Sequence, residues 1–146
     1  MAAATWADRM TDVTKVIVNL AASGGGSDGL SDAITVNAGI LDENIQIATT
    51  APGVVTVTGL ASVVEIQNFD GSDQLIINTG GGNNVVDGSD LDVGVELLVN
   101  GGDGNDVVTG GDGTDTFMLG LGHNSVFASL GHDIVSSTGG QLDIFI

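Results

Sequence analysis

Short apolar runs recur along the chain from Val16 onward, each with polar residues in alternate positions and each bounded by Gly, Asn or Asp. Alternation with a period of two predicts β-strands with one buried face, because successive side chains of a strand point to opposite sides. After the second run the starts lie nine to twelve residues apart, which predicts a repeat architecture. The predicted strands are Val16–Leu20, Ala33–Asn37, Ile45–Ala48, Val54–Thr58, Val63–Gln67, Gln74–Asn78, Asn84–Asp87, Val95–Val99, Asp106–Thr109, Asp115–Met118, Asn124–Phe127, Asp133–Ser136 and Asp143–Ile146.

The N-terminal segment has a different pattern. In residues 2–13, Trp6, Met10 and Val13 recur at helical spacing, which predicts a short amphipathic helix. We expect residues 1–14 to cap one end of a β core, since the ends of repeat structures need covering; a tail without regular structure is the alternative. Residues 15–146 are then a single β-solenoid, with a Gly/Ser-rich loop at Ala21–Gly29.

The strongest motif is a run of four nine-residue blocks at 101–136, reading GGDGNDVVT, GGDGTDTFM, LGLGHNSVF and ASLGHDIVS. The first two match G-G-x-G-x-D-x-U-x throughout, and the last two keep its second half. Position four is Gly in every block, at Gly104, Gly113, Gly122 and Gly131. Position six is Asp106, Asp115, Asn124 and Asp133, and position eight is Val108, Phe117, Val126 and Val135. The apolar position eight is predicted to point inward.

This pattern suits a calcium ion. Calcium takes six to eight oxygen ligands, many of them backbone carbonyls. Glycine allows the tight turns that expose carbonyls, and the position-six Asp supplies negative charge. Asp103 and Asp112, at position three, are expected to offer their carbonyls. The candidate metal ligands and turn glycines are Gly101, Asp103, Gly104, Asp106, Gly110, Asp112, Gly113, Asp115, Gly122, Asn124, Gly131 and Asp133, with Asp73 and Asn84 upstream.

The motif resembles the RTX (haemolysin-type) calcium-binding repeats of bacterial proteins exported by type I secretion. Its full form covers residues 101–118, and degenerate copies extend the register over about half the chain. The resemblance implies an all-β fold: a right-handed parallel β-roll or β-helix with two short strands per coil, here about six coils. Each calcium ion would lie between turns on the same edge, eighteen residues apart. Asp106 would then pair with Asn124, and Asp115 with Asp133.

Several polar residues have two readings. Asn84 and Asn124 lack the charge of the motif Asp, so each either donates an amide oxygen to the ion or shapes an Asx turn. Asp73 and Asp143 are equally open between ligand and turn residue. His123 and His132 are predicted to lie on opposite edges of the coils and to be solvated, because nine residues is half a coil.

Composition argues against some classes of binding partner. Nineteen acidic residues against two basic ones give a formal net charge of −17, which argues against nucleic acid and anionic membrane surfaces as partners. Bound divalent cations would relieve the self-repulsion of such a chain. There is no cysteine, no secretory signal pattern and no apolar run long enough to span a membrane, so membrane insertion is not expected.

We expect an extracellular calcium-binding structural protein that folds on calcium binding, in a surface layer, filament or matrix. Met1 and repeats that run nearly to the last residue favour this over the alternative, a C-terminal folding and secretion module of a larger secreted enzyme or toxin. The resemblance implies leaderless export through type I secretion machinery. No enzymatic activity is expected, because the only basic residues, Arg9 and Lys15, lie far from the acidic turns.

Homo-oligomers or filaments are a further expectation. Alternation places Val85, Val107, Phe127, Ile144 and Ile146 on one outer face, and exposed apolar rows of this kind mark contacts. Coverage by the N-terminal helix or by a further domain is one alternative. A C-terminal export signal at residues 143–146 is another.

Overall fold

The computed structural model describes residues 5–6, 13–23, 25–92 and 94–146. Within these ranges the chain forms strands and no helix, and hence no helix able to cross a membrane. The strands are β1 (Thr5–Trp6), β2 (Lys15–Asn19), β3 (Ala33–Asn37), β4 (Asn44–Ala51), β5 (Val54–Thr58), β6 (Val63–Gln67), β7 (Gln74–Asn78), β8 (Val85–Asp90), β9 (Glu96–Gly102), β10 (Val107–Thr109), β11 (Thr116–Leu119), β12 (His123–Phe127), β13 (Ile134–Ser137) and β14 (Gln141–Phe145).

Two sheets face each other, and the chain alternates between them. The six-stranded sheet has the order β1-β3-β7-β9-β11-β13, and the eight-stranded sheet has the order β14-β12-β10-β8-β4-β5-β6-β2. Parallel pairing links β3 to β7, β9, β11 and β13, and β4 to β8, β10, β12 and β14. This arrangement gives five two-strand coils from β3–β4 to β13–β14. Strands β1 and β2 add a sixth pair, which continues the two sheets by parallel pairing with β3 and β6. The arrangement is consistent with a parallel β-roll.

The core lies between the two sheets and consists of the inward residues of every strand. Val108, Phe117 and Val126, all at position eight of the motif, are 0% exposed, as the alternation predicts. Upstream, the same interior is filled by larger aliphatic side chains such as Ile45, Ile66 and Leu75. The position-six residues of the motif also point inward, at the rim of this core, and this placement decides their chemistry.

The prediction of a continuous parallel solenoid is wrong between the β3–β4 coil and the β7–β8 coil, whereas about six coils agrees with the six strands of one sheet. In this segment β4, β5 and β6 pair as an antiparallel meander inside the eight-stranded sheet. Only Pro52 and Gly53 join β4 to β5, and a two-residue connection suits antiparallel strands, whereas parallel strands need a long crossover. The roll is therefore interrupted by an antiparallel insert.

The predicted N-terminal helix is not present where the structure describes the segment. Thr5–Trp6 form strand β1, which pairs in parallel with β3, Thr5 beside Thr35. The other residues of the predicted helix, except Val13, lie outside the described residues. Strand β3 would otherwise be the edge of its sheet, and an edge strand offers unpaired backbone groups to any extended segment nearby.

The outer face of the eight-stranded sheet corrects one prediction. Val85, Val107 and Phe127 face outward, at 40%, 37% and 40% exposure. Ile144 lies on the opposite side of β14, because the register pairs it with buried Val126, and it is 49% exposed at the end of the roll. Phe145 holds the outward position instead and stacks on Phe127, with 4.6 Å between ring centroids. Ile146 lies beyond the end of β14.

Candidate metal site

The turns between the two sheets form two edges of the roll. On one, which we call the amide edge, the position-six residues of successive coils are Glu43, Asn84, Asp106 and Asn124, brought into register by the pairing of β4, β8, β10 and β12. On the other, the carboxylate edge, Asp115 precedes β11 and Asp133 precedes β13. The sequence-predicted ligands are therefore divided into two separate rows.

The amide edge is a ladder of side-chain to backbone hydrogen bonds. Glu43 N donates to Asn84 Oδ1 at 3.0 Å, and Asn84 N donates to Asp106 Oδ1 at 3.0 Å. Asp106 N donates in turn to Asn124 Oδ1 at 2.9 Å. Each position-six oxygen thus satisfies the backbone amide one coil earlier, and Asp106 is paired with Asn124 as the resemblance implied.

The carboxylate edge repeats this geometry with charged groups. Asp115 N donates to Asp133 Oδ1 at 2.9 Å, eighteen residues along the chain. The carboxylate of Asp115 accepts from Leu97 N at 3.1 Å and from Gly111 N at 2.9 Å, and the residue is fully buried. We call each pair of position-six residues joined by such a hydrogen bond a rung, so Asp115 and Asp133 form a rung with two carboxylates.

The position-four glycines are required by the stacking of the turns. A Cβ would lie 1.7, 2.2, 1.9 and 1.8 Å from a carbonyl oxygen of the preceding coil at Gly104, Gly113, Gly122 and Gly131. At Gly122 and Gly131 that oxygen belongs to the position-four glycine one coil earlier. Carbonyls of successive turns consequently line each edge at close spacing, which is the arrangement that a calcium ion needs.

The position-one glycines make room for the carboxylates. A Cβ at Gly101 would lie 2.8 Å from Asp106 Oδ2, and one at Gly110 would lie 2.6 Å from Asp115 Oδ2. Only a residue without a side chain allows an inward-pointing carboxylate to fold back against its own turn in this way.

Burial dominates the electrostatics of these acids. It raises the pKa of Asp115 to about 6, and the charges of Asp133 and Glu96 add to the effect. Burial also raises the pKa of Asp106, although Asn84 donates hydrogen bonds that oppose the shift. At neutral pH the roll therefore holds buried negative charge that the surrounding side chains do not neutralise.

The residues fit a calcium ion. Asp106 Oδ2 is buried and has no hydrogen-bond partner, and an unpaired buried carboxylate oxygen is costly unless a cation or donor meets it. No three His, Cys, Asp or Glu side chains converge among the described residues, so most ligands of an ion would be backbone carbonyls. Calcium accepts such ligands readily. Asp106 on one edge, and Asp115 with Asp133 on the other, would supply the charged oxygens.

The other predicted site residues lie away from these rungs. Asp112 is exposed, and the exposed Asp103 accepts a hydrogen bond from Leu121 N at 3.2 Å. Asp73 is buried upstream on the carboxylate edge, where its two oxygens accept from Asp32 N at 2.9 Å and Asp70 N at 2.8 Å. Backbone N–H groups thus donate to both oxygens of Asp73, the same arrangement as at Asp115.

The histidines lie on opposite edges, since His123 begins β12 and His132 precedes β13. His123 Nε2 lies 3.0 Å from Asp143 Oδ2, and this hydrogen bond lowers the pKa of the Asp143 carboxyl. Asp143 therefore belongs to an exposed surface pair.

Sequence reasoning missed Glu43. It occupies position six of the first coil, and its Oε2 is buried without a hydrogen-bond partner. Its turn lacks the glycine pattern, and the insert separates it from Asn84 by forty-one residues, which hides the register. An alignment of the sequence with itself that allowed one long insertion could have placed Glu43 at position six.

Comparison with known proteins agrees with the motif. Residues 98–126 match the model of the RTX calcium-binding nonapeptide repeat family, in four copies. No curated protein and no solved structure matches the chain. The matched segment includes Asp106, Asp115 and Asn124, and hence a rung of the amide edge.

Proposed function

We propose that this chain, which carries RTX calcium-binding nonapeptide repeats at residues 98–126, is a calcium-dependent structural module that works outside the bacterial cell. The observation that carries the proposal is the burial of Asp106 and Asp115 at turns whose glycines bring backbone carbonyls together. These carboxylates are destabilising when charged and unpaired, so the fold favours conditions that supply a cation.

The chain's own residues prepare this dependence. The turn glycines let successive coils stack, while Asp115 and Asp133 place negative charge on adjacent coils. A formal net charge of −17 opposes any compact state. Bound calcium supplies positive charge at these rungs, and because the unfolded chain has no preformed site, the binding free energy becomes folding free energy.

An extracellular role follows from the same dependence. A chain of this kind stays unfolded in a cytoplasm that is low in calcium and folds after export, and RTX repeats are typical of secreted bacterial proteins. Type I secretion machinery is then its partner in export. A structural role without catalysis is favoured because Asp106 and Asp115 accept hydrogen bonds from backbone N–H groups, while Lys15 pairs with Glu65.

Calcium calorimetry on two single variants tests the binding site. Asp115→Ala is expected to lower calcium affinity by about tenfold or more, since it removes a buried charged ligand worth about 1.5–3 kcal/mol. Asp87→Ala is the matched control, because Asp87 lies within β8 and its carboxylate accepts only local bonds from Ser89. Equal calcium affinities for the two variants would remove Asp115 from the site.

The second candidate function is a calcium-dependent folding and secretion module of a larger secreted enzyme or toxin. It rests on the same repeats and differs in what the module contacts. A catalytic domain encoded in the same reading frame would favour it over the structural role.

Self-assembly distinguishes the two functions, because only the structural role requires it. Val85, Val107, Phe127 and Phe145 form an apolar outer face, and β13 and β14 are the edge strands of the two sheets at the C-terminal end of the roll. We expect calcium-loaded protein to form side-by-side or head-to-tail assemblies, visible by light scattering or electron microscopy. Truncation after Gly140 removes β14 and should weaken them. A calcium-loaded protein that stays monomeric at high concentration would contradict self-assembly and favour the second function.

A further inference from the structure

Two rungs on opposite edges of the roll have the same backbone geometry and different chemistry. Asp106 N donates to Asn124 Oδ1 at 2.9 Å on the amide edge, and Asp115 N donates to Asp133 Oδ1 at 2.9 Å on the carboxylate edge. Both pairs span eighteen residues. The difference lies in the second side-chain atom of the later residue, a nitrogen in Asn124 and an oxygen in Asp133.

The amide nitrogens on the amide edge donate to the carbonyls of their own turns. Asn84 Nδ2 lies 3.3 Å from Gly81 O, 3.3 Å from Gly82 O and 3.2 Å from Asp106 Oδ1. Asn124 Nδ2 lies 3.3 Å from Gly120 O. The orientation of each amide is fixed by the ladder, because Oδ1 must accept the backbone N–H and the nitrogen is left to face the carbonyls.

This nitrogen stands where positive charge is needed. Turn carbonyls and the Asp106 carboxylate converge on Asn84 Nδ2, and such a set of oxygens is also what a calcium ion takes. A neutral amide offers two N–H donors and needs no counter-ion. A carboxylate at the same position offers no N–H donor and adds a negative charge. A rung with two carboxylates therefore has no group of its own to meet the surrounding oxygens.

We propose that Asn84 and Asn124 replace calcium on the amide edge, so that the calcium requirement of the roll is set mainly by the Asp115–Asp133 rung of the carboxylate edge. The proposal rests on the proposed function, because it assigns the metal dependence to one edge. Glu43 and Asp106, the two acids of the amide edge, alternate with Asn84 and Asn124, so no rung there joins two carboxylates. Each acid keeps one buried oxygen without a hydrogen-bond partner, which leaves this edge a weaker calcium affinity.

Reciprocal substitutions test the proposal. Asp133→Asn gives the carboxylate edge the chemistry of Asn124, and Asn124→Asp gives the amide edge the chemistry of Asp133. The double variant exchanges the two and leaves the net charge unchanged. Each is compared with the wild type by far-UV circular dichroism in excess chelator, which measures the β structure that remains without metal, and by calcium calorimetry, using calcium chloride as the ligand.

The two single variants should behave differently. Asp133→Asn should keep clearly more β structure in chelator than the wild type does, and should weaken the tightest calcium binding by about tenfold or more. Asn124→Asp should keep no more β structure in chelator than the wild type, and should raise the calcium stoichiometry. The double variant should recover tight calcium binding that Asp133→Asn alone has lost.

Two results overturn the proposal: no gain of β structure in chelator for Asp133→Asn, or a loss of calcium affinity in Asn124→Asp equal to that in Asp133→Asn. Failure of the proposed function has a different appearance, in which the wild type binds no calcium at millimolar concentration. The chelator measurements still decide the amide claim in that case, since they involve no metal.

Discussion

Removing calcium is expected to abolish most of the β structure, and restoring it is expected to bring that structure back. Asp115 and Asp133 place two carboxylates on adjacent coils, and Asp106 keeps one buried carboxylate oxygen without a hydrogen-bond partner. Without a cation these charges oppose the stacking of the coils, whose strands are only three to five residues long from β10 onward. Short strands alone supply too little pairing to overcome the repulsion.

Far-UV circular dichroism during a calcium titration of chelated protein measures this change. Magnesium at equal ionic strength is the control, since it demands octahedral geometry and dehydrates reluctantly, so it should restore little structure. An unchanged spectrum in chelator, with the metal content measured as zero, would falsify the mechanism.

Proton binding provides a second check on the same calcium-free sample. Burial raises the folded-state pKa of Asp115 from 3.8 to about 6, so the folded chain binds this proton more tightly than the unfolded chain. The stabilisation is fully present below the unfolded pKa and is lost as pH rises through about 6. Lowering the pH from about 7.5 to 5 should therefore shift the folding equilibrium of the calcium-free chain toward the folded state by about 1 kcal/mol, seen as a partial return of β structure in the circular dichroism spectrum. A further decline of β structure over this range would contradict the burial of Asp115.

Substituting a stacked glycine is expected to cause the largest loss among single variants. In Gly113→Ala the new Cβ would lie 2.2 Å from Val95 O, a backbone atom that moves only if the turns separate. We expect the calcium-loaded protein to lose about 3 kcal/mol or more of unfolding free energy, as measured by urea denaturation.

The matched control isolates backbone strain from the clash. Gly29 has a φ of +66° and open space around its Cβ position. Gly29→Ala should therefore lower the unfolding free energy by about 1 kcal/mol, the cost of placing alanine in a left-handed conformation. Gly113 has no such φ, and its cost is steric alone. Similar losses for the two variants would mean that the turns are not stacked as closely as described.

The strand positions were predictable because each strand keeps one buried face. The alternation located every predicted run, including Val54–Thr58 and Val63–Gln67, whose bounds agree with β5 and β6. It could not give their direction, since parallel and antiparallel strands alternate alike. The Pro52–Gly53 pair between β4 and β5 was the available sign of a hairpin.

The site was predictable only in part. Spacing identified Asp106 and Asp115, because the motif fixes both the glycines and the acid. It left Asn84 and Asn124 open between ligand and turn residue, since an amide carries an acceptor and a donor. The hydrogen-bond ladder shows the amide oxygen accepting the backbone N–H of the preceding coil and the amide nitrogen facing the turn carbonyls. That division depends on register across coils, which no single repeat contains.

The antiparallel meander gives the roll a direction of growth. Strands β4, β5 and β6 follow one another along the chain, so their pairing closes only short loops, whereas each parallel pair must first close a complete coil. The meander is also rich in fully buried aliphatic side chains, with Ile47, Val55, Val57 and Ile66 at 0–1% exposure. Folding is thus expected to nucleate near residue 50 and to advance coil by coil toward the repeats. The last coils to order are then also the first to fray.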